Sequence, residues 1–324
     1  MPKWNTQIDI QYLIARMTCI DIVLRRAVHR WQRADQNPLD EFRGLYVSDE
    51  DAIKLLERPF GSSWGQNVPL SKKEEAAFAA KLSEATKQLE VMAKHAQTEK
   101  TTLRLDYLQS AFELDVFEMN VFMLCLMPFF DLRYERIYAY LQDDVSRRRP
   151  SIGLVLDLLC EPGVPRLSYY NYFDESTFLF SRHLLALAPA STSDDSTFLR
   201  QTLTIDPSIV SWLVGRYRPH EALGADGVLS QPVENDIDSL LAANLKLELD
   251  SVTAVDPVVG FWGPDQVAKS AAANCLAVRM QKPLLTVHLD KTSKTEQSPM
   301  RILRLALRDA KMTDAVLYLS GWDA

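Results

Sequence analysis

The spacing of hydrophobic residues predicts long helices near the N-terminal end of the chain. Between residues 10 and 31, apolar side chains recur every three or four positions and mark one face of a single helix. This stripe consists of Ile10, Leu13, Met17, Ile20, Leu24, Val28 and Trp31. It packs on its own domain or pairs with a second copy of the chain. A second helix is predicted from Leu70 to about Lys100, where glutamates and lysines mix at helical spacing on a solvated face.

Beyond Lys100 the pattern changes to short helices followed by a hairpin. The predicted helices span Leu103–Phe112, Asp115–Leu126, Leu132–Leu141 and Ser151–Leu159. The segments "HLLALAP" and "FLRQTLTID" flank a polar turn and predict two antiparallel strands, and "PSIVSWLVG" predicts a closing helix. Short helices followed by a hairpin are typical of a winged-helix domain.

The C-terminal region alternates strands and helices. The short apolar runs "AVDPVVGFWG", "PLLTVHL" and "AVLYLSG" predict strands, and "KSAAANCLAVRM" and "SPMRILRLALRDA" predict the helices between them. This rhythm predicts a parallel sheet covered by helices.

Together these patterns predict an α+β fold that is predominantly α-helical, organised in four regions. The regions are an N-terminal helical region and linker at 1–66, a helical and winged-helix-like domain at 67–225, a connector at 226–250 and a strand–helix module at 251–324. Within the first region, Ser48 predicts the N-cap of a short helix through Leu56. The Gly-, Ser- and Pro-rich segment Phe60–Pro69 predicts a linker.

Composition and charge narrow the classes of function. Hydrophobic residues make up 47% of the chain and charged residues 24%, as in ordinary soluble globular proteins. The net charge of −7 argues against a nucleic-acid binder, because neutralising phosphates needs a basic face. The basic cluster "SRRRP" leaves two alternatives open: Arg147, Arg148 and Arg149 contact a phosphate backbone, or they offset Asp143 and Asp144 beside them.

Several features predict a cytoplasmic protein without a metal site. The N-terminal sequence has no basic head followed by an apolar run, and the apolar segment "NVFMLCLMPFF" is too short to span a bilayer. The scattered cysteines predict reduced core thiols; they are Cys19, Cys125, Cys160 and Cys275. No two histidines have ligand spacing; they are His29, His95, His183, His220 and His288, the last expected on a strand.

The segment "GPDQVAKS" carries the candidate chemistry. Its residues are Gly263, Pro264, Asp265, Gln266, Val267, Ala268, Lys269 and Ser270. In a phosphate-binding loop, glycines let the backbone curl its amides around phosphates, the lysine reaches the outer phosphates, and the Ser hydroxyl holds Mg²⁺. Here Ala268 replaces the second glycine, which costs about 1–2 kcal/mol if that position needs a conformation that only glycine visits freely. The sequence therefore predicts a weakened nucleotide site.

The end of the last predicted strand shows a second departure from an ATPase. P-loop ATPases place an Asp there for the magnesium-bound water and often a Glu that activates the attacking water, whereas this chain has Ser320 and Gly321. Asp323 follows three residues too late. The module is therefore expected not to hydrolyse ATP. Trp262, beside the loop, is expected to pack in the core, with stacking on an adenine as the alternative.

With "ERIYAYLQDDVSRRRP", "RGLYVSDEDAIKLL" and the altered loop in view, the chain resembles the N-terminal part of bacterial AAA+ ATPases that carry a variant winged-helix domain and two ATPase modules. Many of these belong to extracellular contractile injection systems. The resemblance runs from about Val23 to the end and is most specific over Leu103–Leu159. The first module of that family is commonly degenerate. This chain matches it at Gly263, Lys269 and Ser270.

The resemblance implies that the chain is a fragment. In AAA+ folds the fourth strand lies between the first and third, and this chain stops after the third. Its C-terminal part is therefore expected to be poorly held and to exchange its amides early. The second, intact module would follow later in the full-length protein.

The resemblance also implies a function. The chain would be the regulatory and recruitment part of an ATP-driven remodelling protein that binds an injection-system component or cargo protein. The full-length protein would be homo-oligomeric, with ATP and Mg²⁺ bound weakly or not at all in this module. Two rivals stay open: an interaction module in which Lys269 is solvated and Ser270 caps a helix, and a winged helix that binds DNA through the three arginines.

Overall fold

The computed structural model describes most of the chain and divides it into two compact units. The described residues are 2–33, 52–53, 56–62, 69–189, 197–223, 227–232, 241–242, 245, 248–249, 251–252, 257–289 and 298–321. One unit is Trp4–Arg216, and the other is Tyr217–Ala324 together with Met1–Lys3. Most of the predicted Ser48–Leu56 helix and of the Phe60–Pro69 linker, and Asp323, lie outside the described residues.

Two long helices form one side of the Trp4–Arg216 unit. Helix α1 spans Thr6–Arg33 and α2 spans Lys72–Thr98, and they run in opposite directions, since Arg30 bonds Glu75 (2.7 Å). The predicted stripe is confirmed as the packed face of α1, with most of its members buried and Ile10 at its exposed edge. Because α1 packs along α2, the boundary predicted at residue 66 falls inside one compact unit.

The four short helices predicted after residue 100 are confirmed. Their bounds are Arg104–Ala111 for α3, Val116–Phe130 for α4, Arg133–Leu141 for α5 and Ile152–Leu159 for α6. Helix α4 is the centre of the core, because every residue from Val121 to Pro128 is buried. The buried Tyr138 hydroxyl donates to the Leu124 carbonyl oxygen (2.7 Å), so its polar end is satisfied inside the core.

A hairpin and a closing helix complete this unit, as predicted. Strand β1 (Leu185–Leu187) pairs antiparallel with β2 (Leu203–Ile205), Ser151 bridges to Thr202, and helix α8 is Pro207–Leu213. Between α6 and the hairpin lie a 3₁₀ helix, Val164–Phe173, and the short helix α7, Phe178–Ser181. A further 3₁₀ turn, Phe198–Arg200, precedes β2. The hydrophobic pattern did not predict the long 3₁₀ helix.

Within the described residues, the second unit holds a three-stranded sheet and two helices with defined bounds. In chain order its elements are the 3₁₀ turn Glu221–Leu223, β3 Val228–Ser230, α9 Gln266–Arg279, β4 Leu284–His288, α10 Pro299–Thr313 and β5 Val316–Ser320. Strands β4 and β5 pair in parallel, with Leu285 opposite Leu317. The predicted last four elements are confirmed, and Leu285, Val287, Ile302 and Leu305 form a shared core between β4 and α10.

Two sequence predictions about this sheet are wrong. The sheet is mixed rather than parallel, because β3, which lies in the predicted connector 226–250, pairs antiparallel with β4. Of the predicted strand "AVDPVVGFWG", the described residues 257–262 form no strand. A strand needs hydrogen bonds to a neighbouring strand, and within the described residues none pairs with this segment.

Candidate functional site

The segment Gly263–Ser270 lies at the start of α9, but the helix begins earlier than a phosphate-binding loop requires. Helix α9 starts at Gln266, and the Lys269 amide already donates to the Asp265 carbonyl oxygen (3.2 Å). Val267 and Ala268, which would curl around phosphates in such a loop, therefore belong to the first helical turn. Only Gly263 keeps a conformation that favours glycine, with φ +128°.

The Asp265 carboxylate occupies the amides at the helix N-terminus. One of its oxygens, Oδ1, accepts hydrogen bonds from the amides of Val267 (2.9 Å) and Ala268 (3.0 Å). Free amides at a helix N-terminus bind anions, and here a carboxylate of the chain itself satisfies them. A phosphate at this position would have to displace Asp265 and would be repelled by its charge.

The helical conformation of Ala268 changes the meaning of the missing glycine. Because Ala268 lies within α9, its Cβ meets none of the steric cost expected for a left-handed position. The interpretation of Ala268 as a strained defect is therefore wrong for this conformation.

The flanking residues are mostly open to solvent. Pro264, Gln266 and Ser270 are exposed, and Lys269 is half-buried in the first turns of the helix. Ser270 lies inside α9, so the alternative that Ser270 caps the helix is wrong, since Asp265 is the cap.

Trp262 does not pack in the core. Its side chain is 94% exposed, and Val258 beside it is fully exposed, so the expectation of core packing is wrong. Among the described residues no strand pairs with this segment, and it is Val259 and Phe261, not Trp262, that pack against the buried clusters around α9. The Trp262 indole instead lies close to the backbone of Gly260. A Cβ atom added to Gly260 would be 3.3 Å from the indole Nε1.

The ends of β4 and β5 carry a histidine–serine pair and no carboxylate. His288 is the last residue of β4, as expected, and lies opposite Ser320, the last residue of β5. The His288 Nδ1 and Ser320 Oγ atoms are 2.5 Å apart. Ligands of parallel sheets bind beyond the carboxyl ends of the strands, and ATPases need carboxylates there. Ser320 and Gly321 offer none.

The basic cluster lies just before α6 in the winged-helix region. The Arg147 guanidinium pairs with Asp144 (3.2 Å) and donates to the Arg200 carbonyl oxygen (2.9 Å), while Arg148 and Arg149 are exposed. The alternative that the arginines offset the neighbouring acidic residues is therefore confirmed for Arg147. Hydrogen bonds from Ser146 keep the pKa of Asp144 below its ordinary value, so this acid stays ionised beside the arginine.

A buried ion pair that sequence reasoning missed joins α1 to α3. The Asp9 carboxylate accepts from the Arg104 backbone amide (2.8 Å) and from its guanidinium. Trp4 and Trp212 lie 5.1 and 6.0 Å from the centre of that guanidinium, close enough for cation–π attraction. No local pattern signals this group, because Asp9 and Arg104 are 95 residues apart.

Within the part of the chain that the structure describes, no group of three or more His, Cys, Asp and Glu side chains could hold a metal ion. The four cysteines are buried thiols outside any disulfide of the described residues, as predicted. In the same described ranges, no helix combines the length and apolarity needed to cross a bilayer.

Comparison with known proteins agrees with the order of helices and hairpin. A family model described as a variant winged-helix domain matches residues 7–224, about two thirds of the 324 residues. Searches of curated proteins and of solved structures gave no match. The match runs from α1 through the hairpin and α8. The chain therefore belongs to the family of variant winged-helix domains.

Proposed function

We propose that the chain is the recruitment and regulatory part of an AAA+ ATPase that remodels proteins, with a first nucleotide module that no longer hydrolyses ATP. The variant winged-helix region supports a recruiting role, because a fold that often docks partners is followed directly by a strand–helix module. The resemblance to ATPases of contractile injection systems suggests a particle component or cargo protein as the partner. The full-length protein would assemble as a homo-oligomer in the cytoplasm.

The residues at the carboxyl ends of β4 and β5 are the main support for the proposal of an inactive module. Hydrolysis needs a carboxylate to hold the magnesium-bound water and a base to activate the attacking water. At the end of β5 stand Ser320, bonded to His288, and Gly321. Ser270 could still offer its hydroxyl to Mg²⁺, and Lys269 could reach a phosphate, so weak binding of ATP is compatible with the chain.

Binding of ATP would require Asp265 to leave the amides of Val267 and Ala268. This competition predicts weak affinity or none. The direct test is calorimetry of the chain with ATP and Mg²⁺, beside Lys269→Ala and Asp265→Asn. Asn keeps the helix cap but removes the repelling charge, so we expect Asp265→Asn to bind ATP more tightly than the native chain. Steady-state ATP hydrolysis that disappears in Lys269→Ala would overturn the proposed inactive module.

The rival interaction module that never meets nucleotide is favoured by one observation, the Asp265 cap. It predicts that the native chain, Lys269→Ala and Asp265→Asn all give no heat with ATP and Mg²⁺. Heat from Asp265→Asn that Lys269→Ala does not show would exclude this rival.

The exposed Arg148 and Arg149 leave a DNA-binding alternative to test. A salt-dependent shift of duplex DNA that is lost when Arg147, Arg148 and Arg149 are replaced by Ala would support it. We expect no shift with the native chain, since the net charge is −7.

A further inference from the structure

The 3₁₀ helix that follows α6 in the chain has no exposed cation with which to bind DNA. In helix-turn-helix proteins the second helix of the motif enters the major groove. Here α6 is followed by a turn and then by the 3₁₀ helix Val164–Phe173, with the hairpin after it. A 3₁₀ run of this length is unusual, because its hydrogen-bond geometry is poorer than that of an α-helix.

Exposed acidic residues flank this element, which has no acidic residue of its own and no exposed cation. From Glu161 to Ser181 the only cationic residue is Arg166, which is 4% exposed and whose guanidinium bonds Asp157 (2.5 Å). Glu161, Asp174 and Glu175 in the same stretch are all exposed. Contacts with a phosphate backbone need exposed cations, so this element is unsuited to DNA.

Three aromatic rings are brought together beside this element. Tyr169 and Tyr172 are three residues apart, so they eclipse each other on a 3₁₀ helix, and their rings stack with centroids 5.9 Å apart. Phe117 of α4 packs on both, with centroid distances of 4.8 and 4.7 Å. All three rings are half-buried, and Val116 next to them is 69% exposed.

A carboxylate is held at the edge of these rings. The Tyr172 hydroxyl donates to Oδ2 of Asp115 (2.7 Å), and this bond raises the pKa of Tyr172 to about 12. The other oxygen of Asp115 caps α4 by accepting from the Glu118 amide (2.8 Å). The exposed Glu113 adds a second negative charge in the same segment. We call Asp115, Phe117, Tyr169 and Tyr172 the acidic aromatic surface.

We propose that the acidic aromatic surface binds an arginine-containing segment of a protein partner, and this inference rests on the recruiting role proposed above. A guanidinium stacks on aromatic faces and donates paired hydrogen bonds to a carboxylate, which are the two features this surface offers. Its negative charge is complementary to a basic segment and repels acidic ones.

The test uses the full chain and fluorescent nine-residue glycine–serine peptides containing three arginines, three citrullines or three glutamates. Citrulline keeps the shape of arginine without its charge. We expect the arginine peptide to bind the native chain at least tenfold more tightly than the other two. Equal binding of the arginine and citrulline peptides, or no binding of the arginine peptide at millimolar protein, would overturn the proposal.

Matched variants locate the binding. Asp115→Asn keeps the helix cap and removes the charge, whereas Tyr169→Ala removes one ring. We expect each variant to bind the arginine peptide about tenfold more weakly, or more weakly still, than the native chain. Asp174→Asn is the control, because Asp174 is also exposed and also accepts a local amide bond, from Ser176 (2.8 Å). An equal loss in Asp174→Asn would overturn the surface and indicate non-specific attraction.

Circular dichroism of each variant separates loss of binding from loss of fold. Loss of peptide binding with a native spectrum supports the surface, and unchanged binding in a folded Asp115→Asn overturns it. The nucleotide experiments probe the other unit, so they fail or succeed independently. Peptide data that contradict binding at the acidic aromatic surface would leave the proposal of an inactive nucleotide module unaffected. ATP hydrolysis would contradict the inactive module and would not affect the proposed peptide binding.

Discussion

The two compact units bury charge and cap their helices in different ways. In Trp4–Arg216, the buried pair joins Asp9 and Arg104 across 95 residues, and two aromatic rings lie against the guanidinium. In Tyr217–Ala324, the buried pair is between neighbours, Arg308 and Asp309 (2.7 Å), and the Tyr217 hydroxyl donates to Asp309 (2.7 Å). The first pair is supported by aromatic packing around the guanidinium, whereas in the second the Asp309 carboxylate bonds both Arg308 and Tyr217.

The helix caps follow the same contrast. Helices α2 and α4 begin with reciprocal caps, in which the cap side chain and a glutamate three residues later each bond the other's backbone. In the second unit, α9 has the Asp265 carboxylate alone and α10 has no side-chain cap bond. Reciprocal caps therefore stabilise two helices of the first unit, although α3, α5 and α7 of that unit have no side-chain cap bond.

The largest effect is expected from Asp309→Ala. It removes the buried carboxylate that bonds both Arg308 and Tyr217, and removing one member of a buried ion pair costs about 3–5 kcal/mol. Hydrogen exchange should show β4 and α10 opening first while α4 stays protected. Equal protection of α10 in the variant and the native chain would contradict this stabilising role of Asp309.

A smaller effect is expected from Asp9→Asn. The amide can still accept from the Arg104 backbone, and Trp4 and Trp212 still face the guanidinium, so the cost should be about 1–3 kcal/mol. Urea unfolding, followed by tryptophan fluorescence, measures this loss in the free energy of unfolding. Asp9→Asn costing as much as Asp309→Ala would mean that the aromatic support contributes nothing.

Removing one half of a reciprocal cap should cost less again. Ser71→Ala deletes the oxygen that accepts from the Glu74 amide and should destabilise the first unit by about 1 kcal/mol. Thermal unfolding of Ser71→Ala is compared with that of Ser83→Ala. Ser83 is an exposed serine inside α2 and serves as the matched control. The control should be neutral or slightly stabilising, because Ala has the higher helix propensity.

Ala268→Gly distinguishes a helical first turn from a phosphate loop. Since Ala268 is helical, glycine should cost roughly 0.5–1 kcal/mol and speed amide exchange in α9. If Ala268 were strained in a left-handed loop, as the sequence suggested, glycine would stabilise the chain instead. Native-state hydrogen exchange of residues 266–279 decides between the two.

The smallest effect is a pH dependence at the surface of the first unit. Bonds from the Ser71 hydroxyl and then His29 lower the pKa of Glu74 to about 2, from an ordinary value of 4.5. Its stabilising effect is therefore complete above the ordinary value and is lost as pH falls from 4.5 towards 2. The Tm gap between the native chain and Glu74→Gln should shrink over that range, and a gap that widens there would contradict it.

Sequence patterns predicted the helices of the first unit closely. The predicted helix starts Asp115 and Ser151 are the capping residues in the structure, because capping and periodicity act within one or two turns. The sheet of the second unit was predicted less well. Strand β3 is three residues long and Trp262 is exposed, and both outcomes depend on which distant strand supplies hydrogen bonds.

The candidate sites divide in the same way. The segment Gly263–Ser270 was visible as a motif, but its helical start and the Asp265 cap were not, because several backbone paths share those residue types. Ser320 opposite His288 required the register of β4 and β5. The acidic aromatic surface gave no sequence signal, since Phe117 and Tyr172 lie on elements separated by two helices.

The sequence by itself determined the helices, the hairpin and the absence of acidic residues at Ser320 and Gly321, since these depend on residue type and short-range spacing. The tertiary structure alone decided the strand order, the Asp9–Arg104 pair and the stacking of Phe117 on two tyrosines. Those features join residues far apart in the chain, and their free energy comes from packing and desolvation that local sequence does not encode.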